Sequence, residues 1–247
     1  MSAAGSLAAS ASVPVLGAPE AEASLVTELV PGETLEVVER RGGWIRVVVP
    51  SHRSRLDPRG YPGWVAADAP LLPAGEWSPG LVLAEPGHDR LPLGSFLQAA
   101  GEKREKAVLP GGTRATVDEG ATIPVGERAR RTEIELSTSL LGLPYRWGGT
   151  DSTTGMDCSG MVYRVMQLRG VSVPRDADDQ FDYAPFSSRE HWESAREGDL
   201  VFFGEESITH VGFYLDGGSY ISEHGSGGTM VRAMNDDPYR GFARYVG

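Results

Sequence analysis

The chain of 247 residues has one cysteine, Cys158, so no internal disulfide can brace it and the thiol is left either for packing or for chemistry. It has no run of about 18 apolar residues, the length a membrane-spanning helix needs. Basic residues are scarce. Twenty-three Lys and Arg against 34 Asp and Glu give a net charge of -11, which argues against a nucleic-acid partner and against binding to an anionic membrane surface. The first ten residues, Met1 to Ser10, are small and lack the cationic and apolar regions of a secretory signal, so the expectation is a soluble, cytoplasmic protein.

What is plentiful is Gly and Pro, 32 and 17 residues, and this favours short strands joined by turns over long helices. Residues 1–12 read as a flexible N-terminus. In 13–75, Leu35–Glu39 and Trp44–Val49 flank Arg41-Gly-Gly as a hairpin, and Gly60-Tyr-Pro-Gly-Trp-Val65 adds a turn and another strand. Five or so short strands in about 60 residues suggest a small barrel. Apolar patches at Leu81–Leu83, Leu91–Leu97 and Ala107–Leu109 suggest a second such module over 76–124, with Gly101–Lys106 as an exposed hairpin loop. From residue 125 to 247 the pattern is helical and then strand-like. Ile134, Thr138 and Leu141 share one helical face, and a second helix follows Cys158 and stops at Gly170. Asp199–Phe203, His210–Leu215 and Ser219–Ser222 read as strands, which makes this domain α+β.

Cys158 stands where a glycine-rich segment, Gly148 to Gly155, enters that second helix. Free N–H groups and the positive end of the helix dipole favour a thiolate there, and the thiolate is the nucleophile. Such a nucleophile needs a base. Of the five histidines, His52, His88 and His191 lie in polar loops and read as surface residues, whereas His210 opens an apolar strand. The base needs an orienting partner. A three-residue turn at Asp216-Gly-Gly218 pairs Leu215 with Ser219 and brings His224 opposite His210 and Ser222 opposite Gly212; a two-residue turn brings Glu223 to that face instead. His224 is the first choice, then Ser222, then Glu223. No compact metal-ligand pattern such as His-Glu-x-x-His is present, so neither metal nor organic cofactor is expected.

Leu143-Pro-Tyr-Arg-Trp-Gly-Gly149, Asp157-Cys-Ser-Gly160, Glu197-Gly-Asp-Leu-Val-Phe-Phe203 and His210-Val-Gly-Phe-Tyr-Leu215, in this order, resemble the NlpC-type papain-like cysteine peptidases of bacterial cell walls. The first module resembles bacterial SH3-like domains. The resemblance implies a papain-like peptidase domain preceded by two SH3-like barrels, with Cys158 as nucleophile and His210 as base. It further implies that Tyr145 borders the oxyanion site and that Asp157 and Ser159 line the substrate cleft. In one respect the chain departs from the family, which usually places its third polar residue, often His, where Ser222 stands.

Val173-Pro-Arg-Asp-Ala-Asp-Asp-Gln180 resembles the subgroup of γ-D-glutamyl-L-diamino acid endopeptidases with tandem SH3-like domains. By that resemblance Asp176 binds the free amine of an N-terminal L-Ala, Tyr61 contacts substrate, and Glu33 is a second amine ligand. The partner is then a small murein peptide, cleaved during cell-wall recycling. Two other readings use the same residues: a non-catalytic wall-peptide-binding protein, and a cysteine amidase or acyltransferase. The sequence is silent on oligomeric state.

Overall fold

The computed structural model describes residues 5–87, 91–100, 106–225 and 227–245. His88 and most of the Gly101–Lys106 loop lie outside the described residues. The chain divides into two compact units, Met1–Glu127 with Trp147–Thr153, and Arg128–Arg146 with Thr154–Gly247.

The first unit holds two sheets. Seven strands, β1 (Ser6–Ala9), β2 (Val13–Leu16), β3 (Leu25–Leu29), β4 (Thr34–Arg41), β5 (Trp44–Val49), β6 (Tyr61–Ala66) and β7 (Leu71–Pro73), form one in the order β3-β2-β6-β5-β4-β1-β7. The expected hairpin is there: Arg41 pairs with Trp44, and Gly42 takes φ 59 in the two-residue turn, a left-handed conformation that suits glycine. Residues 5–12, however, are no flexible tail. β1 pairs with both β4 and β7, and Ala8 and Ala9 are fully buried, because their small side chains fit where the sheet curls over its core.

Five further strands, β8 (Leu81–Leu83), β9 (Phe96–Ala99), β10 (Lys106–Val108), β11 (Arg114–Thr116) and β12 (Thr122–Pro124), form the second sheet in the order β11-β10-β9-β8-β12. It has an apolar core of its own, with Leu83, Leu97 and Val117 almost wholly buried. Trp147–Thr153 belongs to this unit rather than to the peptidase domain expected from 125. Thr150, in β13 (Thr150–Asp151), donates its hydroxyl to Glu28 O at 2.7 Å, Ser12 donates to Asp151, and Ser152 accepts the Leu93 N–H. Gly148, at φ +72, would press a Cβ to 2.4 Å from Leu25 O, so glycine is needed at that approach.

The second unit opens with helix α1 (Glu133–Thr138), whose Thr132 and Glu135 form a reciprocal capping box worth about 1 kcal/mol. Its buried residues are Leu136 and Ser137; just beyond its end Leu140 is buried and Leu141 exposed. The expected face through Ile134, Thr138 and Leu141 was misread because six residues are too few for the helical period to show. After β14 (Gly155–Met156) comes α2 (Cys158–Leu168), ended by Gly170 at φ 68 with Val171 N–H returning to Met166 O. Nearly every side chain of α2 is buried, as a helix enclosed on all sides requires. Helix α3 (Ala177–Asp182) follows, with Phe181 edge-on to Phe202.

Six antiparallel strands, β15 (Phe186–Ser188), β16 (Leu200–Phe203), β17 (His210–Leu215), β18 (Ser219–His224), β19 (Gly228–Ala233) and β20 (Tyr239–Arg244), make its sheet in the order β15-β20-β16-β17-β18-β19. α2 packs on β17 and β18. Helices first and antiparallel strands after give the α+β domain the sequence implied.

Candidate active site

Asp157 is the N-cap of α2: its backbone is extended and its Oδ1 accepts the Gly160 N–H at 2.6 Å. Cys158 is therefore the first residue of the helix, and it is buried. Its thiol meets the backbone N–H groups of Ser159 and of Val211, the residue after His210. That contact links Cys158, at the start of α2, to the strand β17 that His210 begins.

The electrostatics differ from the sequence expectation of a ready thiolate. Burial pushes the Cys158 thiol up to about 12, and the Asp157 carboxylate pushes the same way. The two N–H groups and Arg175 oppose this and do not win. Burial also pushes His210 down to about 4, with His224 adding to the effect. Both shifts favour the neutral forms, thiol and imidazole.

Both neighbours of Cys158 are held by Arg175. Its Nη1 donates to Asp157 Oδ1 at 3.0 Å and to Ser159 Oγ at 2.8 Å, and its Nη2 donates to Asp157 Oδ2 at 2.8 Å. Gln180 Nε2 adds bonds to Ser159 O and Pro174 O. Asp157 and Ser159, expected as cleft-lining groups, are buried and engaged in this lattice. Asp176, next to Arg175, is half-buried at the N-cap of α3, and its side chain does not cap that helix. Half-buried Tyr145 bridges to Met156; burial, with Cys158 and Asp157 nearby, raises its hydroxyl to about 12, so it keeps its proton and can donate.

The register of β17 and β18 shows which of the three orienting candidates faces His210. Leu215 pairs with Ser219 and Phe213 with Ile221, the three-residue turn, made possible by Gly217 and Gly218 both at positive φ. His224 accordingly faces His210, ring centroids 4.7 Å apart. Ser222 is on the same face, but its hydroxyl donates to Val211 O at 2.5 Å. Glu223 lies on the other face, fully buried, accepting from Thr229 at 2.5 Å, while its Oε2 has no hydrogen-bond partner among the described residues; burial raises it to about 8.

Glu33 and Tyr61 belong to the first unit. Both are buried there. Glu33 Oε2 accepts the Val30 N–H, and Oε1 lies 3.3 Å from His52 Nε2, whose Nδ1 is 2.7 Å from Thr27 Oγ1. His52 is thus no surface residue. Loop position suggested exposure, but Glu33 and Thr27 satisfy both ring nitrogens and let it be fully buried. His191 is exposed as expected. Sequence reasoning missed Arg175 and Gln180, which hold the residues flanking Cys158, and Arg232 and Asp237 near His224. Among the described residues no group of three or more His, Cys, Asp and Glu side chains is placed to hold a metal ion.

A lone thiol at the start of a helix that packs on an antiparallel sheet, with the imidazole on the adjoining strand, defines a papain-like cysteine peptidase. The family model for NlpC/P60 matches residues 142–244 and that for the bacterial SH3 domain matches 11–69, the latter within the seven-stranded sheet. The gamma-D-glutamyl-L-lysine dipeptidyl-peptidase of Bacillus subtilis (strain 168) is 33% identical over 224 residues, covering 79% of this chain and 71% of its own. A protein of the same name from Bacillus cereus is 26% identical over 256 residues, 90% of this chain and 75% of its own. The crystal structure of an NlpC/P60 family protein from Bacillus cereus ATCC 10987 superposes with a TM-score of 0.85 at 20% identity, covering 98% of this chain and 100% of that one. The chain belongs to the NlpC/P60 family and is a cysteine peptidase, a hydrolase.

Proposed function

We propose that the enzyme cleaves the amide between the γ-carboxyl of D-Glu and an L-diamino acid in short murein peptides that carry a free N-terminal L-Ala. One observation carries the reading. Asp176 stands one residue from Arg175, whose guanidinium grips both neighbours of Cys158, so a carboxylate suited to an ammonium group is tied to the nucleophile. A half-buried carboxylate pairs with a free amine and penalises an acylated one. The name of the Bacillus subtilis relative supports the bond chosen. Glu33 and Tyr61 are assigned to recognition by family resemblance alone; Glu33 is bonded to Val30 and His52.

The reaction starts from the neutral pair. As Cys158 Sγ bonds to the γ-carbonyl carbon, its proton passes to His210, which acts as general base during the attack. His224, facing the base, steadies it. The oxyanion is held by the Cys158 backbone N–H and the Tyr145 hydroxyl. His210 then returns the proton to the departing amine as the C–N bond breaks. Water, deprotonated by the same ring, cleaves the thioester and frees L-Ala-D-Glu. A free amine is found on fragments already released from the wall, so recycling in the cytoplasm is the setting we propose.

The test is to incubate the protein with L-Ala-γ-D-Glu-diamino acid tripeptides, free and N-acetylated, and to follow products by mass spectrometry. Cleavage of the free form alone is expected. Cleavage of neither contradicts the peptidase reading for this substrate, and equal cleavage of both removes the role of Asp176.

A further inference from the structure

His224 can steady His210 only if its own ring is held. Asp237 follows the 3-10 turn Met234–Asp236, anchored by buried Met234, and Pro238 O accepts the Gly204 N–H beyond it. Onto the single atom Asp237 Oδ2 converge the Tyr220 hydroxyl at 2.5 Å, Arg232 Nε at 3.1 Å and His224 Nε2 at 3.8 Å. Tyr220 and His224 come from one face of β18, and Arg232 is the cross-strand partner of Tyr220 on β19. The Tyr220 ring in turn stacks on Phe203 at 4.4 Å and stands edge-on to His210 at 6.1 Å.

From this convergence we infer that Asp237 is a positioning residue, acting through His224 on the base His210, and that the Tyr220–Asp237–Arg232 cluster does the work that position 222 cannot do here. Ser222 has given its hydroxyl to Val211 O, so the job has moved two residues along the strand, to a histidine that needs a support of its own. The inference rests on the reading of His210 as base given above.

The chemistry follows from the donors and acceptors. Asp237 Oδ2 is the acceptor nearest His224 Nε2, so it favours the tautomer with the proton on Nε2, on a ring 4.7 Å from His210. The 3.8 Å separation is an ion-pair distance rather than a hydrogen bond, and such contacts tighten when charge develops in the reacting complex. As His210 takes the thiol proton, its positive charge has the His224 ring 4.7 Å away and the Asp237 carboxylate behind that. The groups acting on His210 are His224 and Arg232, which oppose its protonation, and Asp237 and Asp157, which favour it. On His224 itself Arg232 opposes and Asp237 favours protonation.

The experiment has a part that needs no substrate. Long-range ¹⁵N–¹H correlation spectra of the full chain report the tautomer of His224: Nε2–H is expected, and conversion to Nδ1–H or a mixture in Asp237→Asn, whose amide can donate to Nε2. In turnover, Asp237→Asn is expected to lower kcat roughly 10- to 100-fold, less than the ~10⁴-fold seen when a directly bonded carboxylate is replaced in a Ser-His-Asp triad, with KM unchanged. The acid limb of its kcat/KM profile moves to lower pH, because a favourable charge for imidazolium is gone. Tyr220→Phe, which keeps the ring and the Asp237 charge but drops one bond that holds the carboxylate, is expected to lower kcat by less and not to move the acid limb to lower pH; it serves if the Asn variant fails to fold. A wild-type His224 protonated on Nδ1, or an Asp237→Asn enzyme with unaltered kcat and acid limb, overturns the inference. Absence of tripeptide cleavage by the wild type would instead count against the proposed function, and the tautomer measurement would still stand.

Discussion

Asp157 and Arg175 meet through two parallel hydrogen bonds, 3.0 and 2.8 Å long, with both side chains withdrawn from solvent. The carboxylate is at once the N-cap of the helix that Cys158 begins and the anchor of the loop that carries Asp176. Removing one member of a buried pair leaves the other charged and uncompensated, at a cost of about 3–5 kcal/mol. Arg175→Ala is therefore expected to destabilise the chain by about that amount in urea unfolding. Arg175→Lys keeps the charge but not the fork that grips Asp157 and Ser159 together, and is expected to recover part of the stability with little of the kcat. Wild-type stability in the alanine variant would show that the pair contributes nothing net.

Glu223 makes stability depend on pH. Its carboxyl is buried, its folded-state pKa is raised from 4.5 to about 8, and so the folded chain holds a proton that the unfolded chain has released. The stabilisation is complete below about pH 4.5 and is lost as pH rises through about 8. Glu223→Gln removes the titration. Urea midpoints taken from pH 5 to 9 should fall for the wild type across that window and fall less for the variant, whose advantage is greatest at the alkaline end.

Gly228 lets β19 start against the strand-like segment before Tyr145. It sits at φ +73, and a Cβ there would lie 2.0 Å from Leu143 O, while Thr229 N–H bonds the same carbonyl at 2.8 Å. Backbone cannot give way as a flexible side chain can. Gly228→Ala is expected to cost about 1–3 kcal/mol and, by shifting Leu143 and Pro144, to displace Tyr145 and lower kcat. Thermal unfolding together with kcat checks both halves.

The neutral state of Cys158 has a direct readout in alkylation. A thiol pushed up to about 12 reacts with iodoacetamide at a rate that still climbs through pH 9, since the thiolate is the reacting species. A rate that is flat from pH 5 to 8 would mean a preformed thiolate and would contradict the general-base description of His210.

The parts of the site that could be read from sequence were those set by local rules. Cys158 announced itself by following a glycine-rich segment into a helix, and His224 was the first of three candidates because a three-residue turn at Asp216-Gly-Gly218 sets it opposite His210. Arg175, Asp237 and the burial of His52 were not legible. Each depends on a partner distant in the chain, 18 residues away for Arg175 and Asp157, and periodicity carries no record of such pairings. The small Ala8 and Ala9 likewise looked like a tail because short side chains signal flexibility and close packing equally well. The thiolate expectation failed on magnitude: two N–H groups at a helix start were weighed, whereas burial and the Asp157 charge outweigh them.

The most direct test of the account is release of free diamino acid from unacylated L-Ala-γ-D-Glu-diamino acid, measured side by side for the wild type, Cys158→Ala and His210→Ala. The account predicts stoichiometric release of diamino acid and L-Ala-D-Glu by the wild type and none above the uncatalysed rate by either variant. Release by Cys158→Ala at the wild-type rate would contradict it.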